Sequence, residues 1–498
     1  MLSIHEKNVT LTSKKYFFSI KNRDFTYETI VFYYCCVAIF VVSCSPSETR
    51  RVVILSTNDI HGAIQQFPRL ATAVAACRDT VEVIMVDGGD RWTGNAYVDK
   101  AEHKCLPVIE MMNSIGYDVA TLGNHEFDYG QELLRERISQ AEFQVLCANM
   151  ASCGSELTVP ATTIIERGGI KFGFVGLVTN FADGYPDGQK SNFEGLTFSS
   201  PFEKAVELQS LKEQCDVLVL VSHLGDDMDR VLTVDATEYD LIVGGHTHTV
   251  LPEGQEYNGT LITQTGKSLK NLGVTVVEMQ GKKITRLENR LVALADFAEN
   301  EEVKAAVEVY YQDPYLSAPI GSSKIQLSKV GLANFMAESI AKRSKSDVGL
   351  YHFGGVRIDS LRKDGISIGD VFTLEPFSST IYTAQMTTDE IRQMIINKFN
   401  DSVNPKESHR PDINPYGTSY TIVTDAEGEA IDVQFSTLKE GRTYKVAMGD
   451  YMYKNYNFPK NGAHEATGIL VTDVILDELR HHSPLKYTNE ERISIVEQ

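Results

Sequence analysis

Histidine, aspartate and asparagine side chains recur in the first half of the chain, at the ends of short apolar runs. Six such runs, rich in β-branched residues, occupy residues 52–59, 81–90, 117–128, 171–179, 215–223 and 239–248. The polar residues that close five of them are Asp59, His61, Asp90, Asn124, His125, Asp128, His223, His246 and His248. Donors in this number exceed what one ion takes, and they suit two divalent cations ~3.5–4 Å apart that share one carboxylate. Mixed nitrogen and oxygen ligands without thiolate favour Mn, Zn, Fe or Co and argue against a structural zinc site.

These residues need elements that bring them together. Continuous apolar runs are typical of strands covered on both faces, and helical stretches such as residues 129–140 and 200–213 separate several of them. In open α/β sheets, sites form at the carboxyl ends of the strands, so we expect the polar residues to meet at one edge. Between two cations, a water loses its proton near neutral pH. The pattern therefore predicts an α/β sandwich with a two-metal site at this edge.

Length and charge narrow the class of protein further. The 498 residues are enough for two or three domains, and a hydrophobic content of 42% is too high for a disordered chain. The formal net charge of −20 argues against a nucleic-acid partner, because phosphate repels an acidic surface. An anionic small substrate is compatible with this charge, since bound metal ions invert the local field.

The first fifty residues are not expected to belong to the folded body. Residues 30–42 form an apolar run that is too short for the ~20 residues of a spanning helix and suits the hydrophobic region of a signal peptide. The run ends in Val-Val-Ser-Cys44, which resembles the lipobox of bacterial lipoproteins. Cys44 is thus predicted to be the lipidated first residue of the mature chain. An ordinary signal peptide, with Cys44 incidental, is the alternative.

The polar clusters resemble, in order, all five motif blocks of the calcineurin-like metallophosphoesterases. The matching segments are Asp59-x-His61, Gly89-Asp90, Gly123-Asn124-His125-Glu126, His223 and Gly245-His246-Thr247-His248. The resemblance implies a four-layer α/β/β/α sandwich with two divalent metal ions, which are Mn, Zn, Fe, Co or Mg.

Ligand roles follow from the same resemblance. It implies that Asp59, His61 and His248 hold the first metal. The second would be held by Asn124, His223 and His246, with Asp90 bridging the two. His125 would not be a ligand but would form a catalytic dyad with Asp128.

The last third of the chain resembles the C-terminal domain of the 5′-nucleotidases, an α+β domain that binds the nucleoside. The matching segments include Gly354-Gly355-Val-Arg357, Pro376-Phe377 and Asp412-Ile-Asn-Pro-Tyr416. The resemblance implies that Arg357 binds the substrate and that Phe377 stacks on its base, with Phe458 or Tyr456 on the other side. The chain departs from the family pattern by having His352-Phe353 before the glycines and no arginine over residues 323–330.

Four segments are expected: a signal peptide with lipobox (1–44), a phosphoesterase domain (50–290), a linker helix (291–322) and a substrate-binding domain (323–498). The resemblance implies a lipid-anchored enzyme of the bacterial cell envelope that hydrolyses nucleoside 5′-monophosphates to nucleoside and phosphate, without nucleic-acid or protein partners. A 2′,3′-cyclic-nucleotide phosphodiesterase/3′-nucleotidase and a UDP-sugar hydrolase are the alternatives. A non-catalytic nucleotide-binding lipoprotein is disfavoured, because every motif residue is present.

Overall fold

The computed structural model of the protein describes residues 49–181, 183–401 and 409–498, which belong to one compact unit spanning residues 45–498. The predicted signal peptide and Cys44 lie outside the described residues. Within the described ranges, none of the helices is long and apolar enough to span a bilayer.

The first part of the described chain alternates strands and helices. Its strands are β1 (Thr49–Thr57), β2 (Glu82–Asp87), β3 (Val119–Thr121), β4 (Gln144–Leu146), β5 (Met150–Ser152), β6 (Thr162–Arg167), β7 (Ile170–Val178), β8 (Leu196–Phe198), β9 (Val217–His223), β10 (Leu241–Val243), β11 (Gln255–Tyr257), β12 (Thr260–Thr263), β13 (Asn271–Gln280) and β14 (Lys283–Ala293). Its helices are α1 (Phe67–Arg78), α2 (Ala96–Asp99), α3 (Leu106–Ile115), α4 (Gln131–Gln140), α5 (Pro201–Leu208), α6 (Asp226–Leu232) and α7 (Glu301–Tyr310).

Two six-stranded sheets form the centre of this part, in the orders β14-β13-β1-β2-β3-β4 and β11-β12-β10-β9-β7-β6. Strands β1 to β4 are parallel, as are β7, β9, β10 and β12. The sheets pack face to face, because alternate residues such as Val52 and Ile54 of β1 share a core with Val219 and Val221 of β9. Helices such as α1 and α5 cover the outer faces. The predicted four-layer α/β/β/α sandwich is confirmed.

All six predicted strands are present, as β1, β2, β3, β7, β9 and β10. The stretch expected to be helical over residues 200–213 is an α-helix only to Leu208 and continues as a 3-10 turn, Gln209–Gln214. The α5 helix begins at the Ser200 cap, whose side chain accepts a hydrogen bond from the backbone N–H of Glu203.

The rest of the described chain mixes short strands with α-helices. Its strands are β15 (Pro319–Gly321), β16 (Leu327–Ser328), β17 (Val348–His352), β18 (Ser360–Leu361), β19 (Ile366–Ser367), β20 (Thr380–Thr387), β21 (Ile413–Tyr416), β22 (Tyr420–Thr424), β23 (Ala430–Phe435), β24 (Thr443–Gly449), β25 (His464–Leu470) and β26 (Ile493–Glu497). Its helices are α8 (Lys329–Ser344), α9 (Ile368–Leu374), α10 (Thr388–Phe399), α11 (Asp450–Asn455) and α12 (Val471–His482).

A five-stranded sheet, β21-β17-β24-β20-β25, organises this second part. Helices α8 and α12 contribute to the core on one side, and α10 contributes to the other. Because β17 and β24 are parallel and β20 is antiparallel to β24, the ends of β17 and β24 share an edge with the start of β20. Arg357 follows β17 and Phe377 precedes β20, so both come from this edge. The expected α+β class of the second part is confirmed.

The two parts are in direct contact. The Ala96 backbone N–H donates to the Thr373 hydroxyl at 3.1 Å, and the side chains of Ala96 and Tyr97 pack with the hydrophobic core of the second part. The α7 helix lies against α1, within the segment expected to be a linker. The exact domain boundaries stay predictions.

Candidate metal centre

The predicted ligands lie at the carboxyl ends of parallel strands in both sheets. Asp59 follows β1, Asp90 follows β2, and Asn124 follows β3; His223 ends β9, and His246 and His248 follow β10. Many of these residues have a left-handed backbone, which is rare for residues other than glycine. The φ angles are +51° at Asp59, +47° at His61, +57° at Asp90, +78° at His246 and +54° at His248. Strained backbone of this kind concentrates at functional sites, where the surrounding structure holds it in place.

Asp59, His61 and His248 form one group of converging ligand atoms. His248 Nε2 lies 3.2 Å from Asp59 Oδ1 and 2.9 Å from His61 Nε2. His61 Nε2 is also 3.7 Å from Asp59 Oδ1. Burial lowers the pKa of both histidines, with the nearby Arg357 guanidinium acting in the same direction. Both imidazoles are consequently held neutral, the form in which histidine binds metal.

Asp90, Asn124, His223 and His246 form a second group beside the first. His223 Nε2 lies 3.1 Å from Asp90 Oδ2, and His246 Nδ1 lies 3.2 Å from Asn124 Oδ1. The other ring nitrogen of His223 is 2.6 Å from the Gly88 carbonyl, which orients Nε2 toward Asp90. Ligand atoms of Asp90 fall within 4.8 Å of Asp59 and His223, and also of His61. Asp90 is thus placed between the two groups.

The donor set fits two divalent cations. Asp59 Oδ1 and His223 Nε2 are buried and have no hydrogen-bond partner of suitable geometry among the described residues. Although burial opposes it, the pKa of His223 is raised to about 10, chiefly by Asp90 and then by Asp59. The two carboxylates therefore favour positive charge at this point.

His125 and Asp128 form the expected pair. His125 Nδ1 lies 2.7 Å from Asp128 Oδ2, so the ring's Nε2 faces the cleft, 3.9 Å from Asp90 Oδ2. Although burial acts against it, Asp128 and Asp90 raise the pKa of His125. Ligand atoms of His125, His61 and Asp90 also lie within 4.8 Å of one another, close enough to bind one metal ion. Its assignment as a non-ligand therefore stays a prediction.

The second part of the chain contributes Arg357 and Phe377 to this centre. Arg357 Nη2 lies 3.2 Å from His61 Nδ1 and 3.4 Å from His125 Nε2. The Phe377 ring stacks on His125 with centroids 5.9 Å apart and an interplanar angle of 27°. The Arg357 guanidinium carbon is 5.5 Å from the centroid of the Phe377 ring. Two residues predicted to bind substrate thus lie against the predicted ligand His61 and the predicted catalytic residue His125.

Phe458 lies in a different setting. It is 7% exposed and belongs to the core beside the five-stranded sheet, where its ring contacts Tyr453 with centroids 6.0 Å apart. Tyr456, the other candidate for the second stacking ring, is also buried and donates its hydroxyl to Asp412. A substrate role for Phe458 stays a prediction.

Two residues that sequence reasoning missed hold the ligand loops. Asn58 donates to Asp59 Oδ2 at 2.6 Å and to the Gly266 carbonyl at 2.7 Å. Gln264 donates to the Gly245 carbonyl at 2.8 Å, just before His246. Asn58 could have been found, because it directly precedes a ligand. Gln264 is distant in sequence from the ligands, and no sequence signal marked it.

Comparison with known proteins agrees with this architecture. The family profile described as calcineurin-like phosphoesterase matches residues 52–250, and the profile described as 5′-nucleotidase, C-terminal domain, matches residues 312–460.

Relatives of known name and structure cover most of the chain. A 5′-nucleotidase of Vibrio cholerae is 25% identical over 88% of this chain and 92% of its own length. Endonuclease YhcR of Bacillus subtilis is 27% identical over 91% of this chain, but this chain spans only 42% of that protein. The crystal structure of a 5′-nucleotidase precursor from Thermus thermophilus shares the fold, with a TM-score of 0.77, 20% identity and coverage of 90% of this chain and 99% of that one.

The ligand groups at the strand ends and the two successive domain matches lead to one assignment. The chain belongs to the 5′-nucleotidase family and consists of a calcineurin-like, metal-dependent phosphoesterase domain followed by a 5′-nucleotidase C-terminal domain.

Proposed function

We propose that the protein hydrolyses nucleoside 5′-monophosphates to nucleoside and phosphate at a two-metal centre. The observation that carries the proposal is the contact of Arg357 and Phe377 with His61 and His125. A cation and an aromatic ring at the edge of a metal centre match a substrate with a phosphate at one end and a base at the other.

The two groups of converging atoms support the proposed metal ligands. Asp59, His61 and His248 would hold one cation. Asn124, His223 and His246 would hold the other. Asp90 lies in reach of both. When bound, divalent cations supply Lewis acidity toward a phosphoryl oxygen and lower the pKa of water.

His125 is the proton donor in this proposal. Asp128 accepts the Nδ1–H and favours the charged imidazolium, so Nε2 carries a proton into the cleft. Transfer of that proton to the leaving oxygen of the nucleoside avoids release of an alkoxide. Arg357 pairs with the phosphate, and the Phe377 face stacks on the base.

Hydrolysis by purified residues 45–498 tests the proposal. All products are separated by chromatography, because the first cleavage of 2′,3′-cyclic AMP or of UDP-glucose releases no free phosphate. The substrates are 5′-AMP, 3′-AMP, 2′,3′-cyclic AMP, UDP-glucose and an aryl phosphate, each with manganese and with EDTA. A metal-dependent preference for 5′-AMP is expected. A preference for the cyclic nucleotide or for UDP-glucose would change the proposed substrate but keep the metal-dependent hydrolysis. No turnover of any of these substrates with manganese would support a binding protein.

The proposal includes a location outside the cytoplasm, with a lipid anchor at Cys44 in the bacterial cell envelope. The sequence of residues 30–44 supports it. Cys44→Ser is expected to move the full-length protein from the membrane fraction to the soluble one. Continued association of this variant with membranes would argue against lipidation at Cys44.

A further inference from the structure

Glu126 directly follows His125 in the one-turn 3-10 helix His125–Phe127, and its side chain is 1% exposed. Its carboxylate accepts three backbone N–H groups from two loops. Oε2 accepts from Asp90 at 3.0 Å and from Gly123 at 2.5 Å, and Oε1 accepts from Arg91 at 2.7 Å. One buried carboxylate therefore joins the loop after β2 to the loop after β3.

The two loops that Glu126 joins are in close contact. The His125 backbone N–H donates to Asp90 Oδ1 at 2.9 Å. A side chain at Gly123 would place its Cβ only 2.2 Å from the same oxygen. Since Asp90 also has a left-handed backbone, with φ of +57°, its carboxylate keeps its direction only if neighbouring groups hold that turn.

Arg91 balances the charge of Glu126 inside the protein. Arg91 Nε is 3.6 Å from Glu126 Oε1, and Arg91 Nη1 donates to the Thr121 carbonyl at 2.7 Å. Both side chains are almost completely buried. None of the groups of converging ligand atoms found in the described ranges includes Glu126. The Glu126 carboxylate is thus occupied by backbone donors, with the Arg91 guanidinium as its ion-pair partner, and it faces neither solvent nor the ligand cluster.

We infer that Glu126 is a positioning residue of the metal centre, which fixes Asp90 of one loop against Asn124 and His125 of the other. Its two oxygens set the separation of the loops, and that separation decides whether Asp90 reaches the ligand atoms beside His223. The inference rests on the two-metal part of the proposed function and is independent of the substrate.

Glu126→Gln tests this role, because the amide keeps the size of the side chain but turns an N–H group toward backbone donors. Asp118→Asn is the matched control. The Asp118 carboxylate also accepts a backbone N–H, from Met85 at 2.8 Å, and pairs with Arg167 at 2.8 Å, but it lies at the start of β3, away from the ligands. For each variant, we would measure the affinity for Mn²⁺ by equilibrium dialysis and the thermal unfolding midpoint of the metal-free protein.

Loss of a residue that holds metal ligands typically weakens metal affinity by ~10–100-fold. We expect this loss in Glu126→Gln, with the concentration of Mn²⁺ for half-maximal activity shifted in parallel, and no change of affinity in Asp118→Asn. Unchanged Mn²⁺ affinity in a folded Glu126→Gln protein, whatever its thermal midpoint, would overturn the inference.

Glu126→Asp provides a second test if the glutamine variant does not fold. It keeps the charge opposite Arg91 but shortens the side chain, so it is expected to weaken Mn²⁺ binding as well. If neither variant folds, Glu126 serves the fold rather than the metal ligands, and the inference fails. Absence of Mn²⁺ binding by the unmodified protein would instead contradict the proposed function.

Discussion

At the residue scale, the pairing of His125 with Asp128 predicts that His125 is a proton donor and not a metal ligand. His125→Ala is expected to lower kcat for 5′-AMP by ~10²–10⁴-fold, the range for loss of a general acid. The metal content should stay the same, because Asp59, Asp90 and His223 still converge. Turnover and metal content, measured on the same preparation, check both statements. His103→Ala, at an exposed histidine, is the control. If the His125→Ala variant binds one metal ion fewer than the unmodified protein, His125 is a metal ligand.

Phe377 provides a second residue-scale prediction. Stacking on a base contributes ~1–3 kcal/mol, so Phe377→Ala should raise KM for 5′-AMP by ~5–100-fold and leave KM for an aryl phosphate nearly unchanged. Phe435→Ala is the matched control, because this half-buried ring also lies beside an arginine, with Arg392 5.9 Å from its centroid. Equal effects on both substrates would mean that the ring positions His125 rather than the base.

At the scale of elements, the sequence predicted strands and their ends well. A continuous apolar run indicates a strand that is buried on both faces of the sheet. The first polar residues after the run mark the carboxyl end of that strand. Pairings between distant segments could not be predicted in the same way. Asn58 binds Gly266 across 208 residues, and the contact of Phe377 with His125 joins two domains. The burial of Phe458 depends on packing around Tyr453, which a single sequence does not specify.

The turn between α9 and β20 carries Phe377 and contains a buried acid. Burial raises the pKa of Glu375 from 4.5 to about 7, although Ser379 donates its hydroxyl to Oε1 at 2.6 Å. At a pH between 4.5 and about 7, Glu375 holds a proton in the folded protein but has lost it in the unfolded chain. The free energy of unfolding therefore falls as the pH rises through this range. The full penalty, ~3 kcal/mol, is reached above pH ~7.

Glu375→Gln should remove this loss of stability, because an amide does not ionise. Denaturant unfolding at pH 5 and pH 8 is the measurement, with Glu253→Gln at an exposed position as the control. The Glu375 variant is expected to gain stability relative to the unmodified protein at pH 8 and to differ little at pH 5. The same difference at both pH values would show that Glu375 is already ionised at the lower one.

At the scale of the whole molecule, bound metal should contribute to stability. A ligand at ~1,000 times its Kd stabilises the folded state by about 4 kcal/mol per site. EDTA is therefore expected to lower the thermal midpoint, and excess Mn²⁺ to restore it. An Asp59→Asn variant, which lacks one ligand charge, should respond less. A midpoint that EDTA leaves unchanged would contradict a resident metal pair.

The position of β1 has a consequence for the order in which the protein assembles. Strand β1 pairs with β2 on one side, but on its other side it pairs with β13, where Thr49 lies opposite Gln280. During synthesis, Asp59 emerges early, yet the strand before it gains its second neighbour only after residues 271–280 have been made. Pairing over such a distance is intrinsically slow. Hydrogen-exchange pulse labelling during refolding should find the β1 amides that bond to β13 protected later than those of β2 and β3, so the metal site would be completed among the last steps of folding.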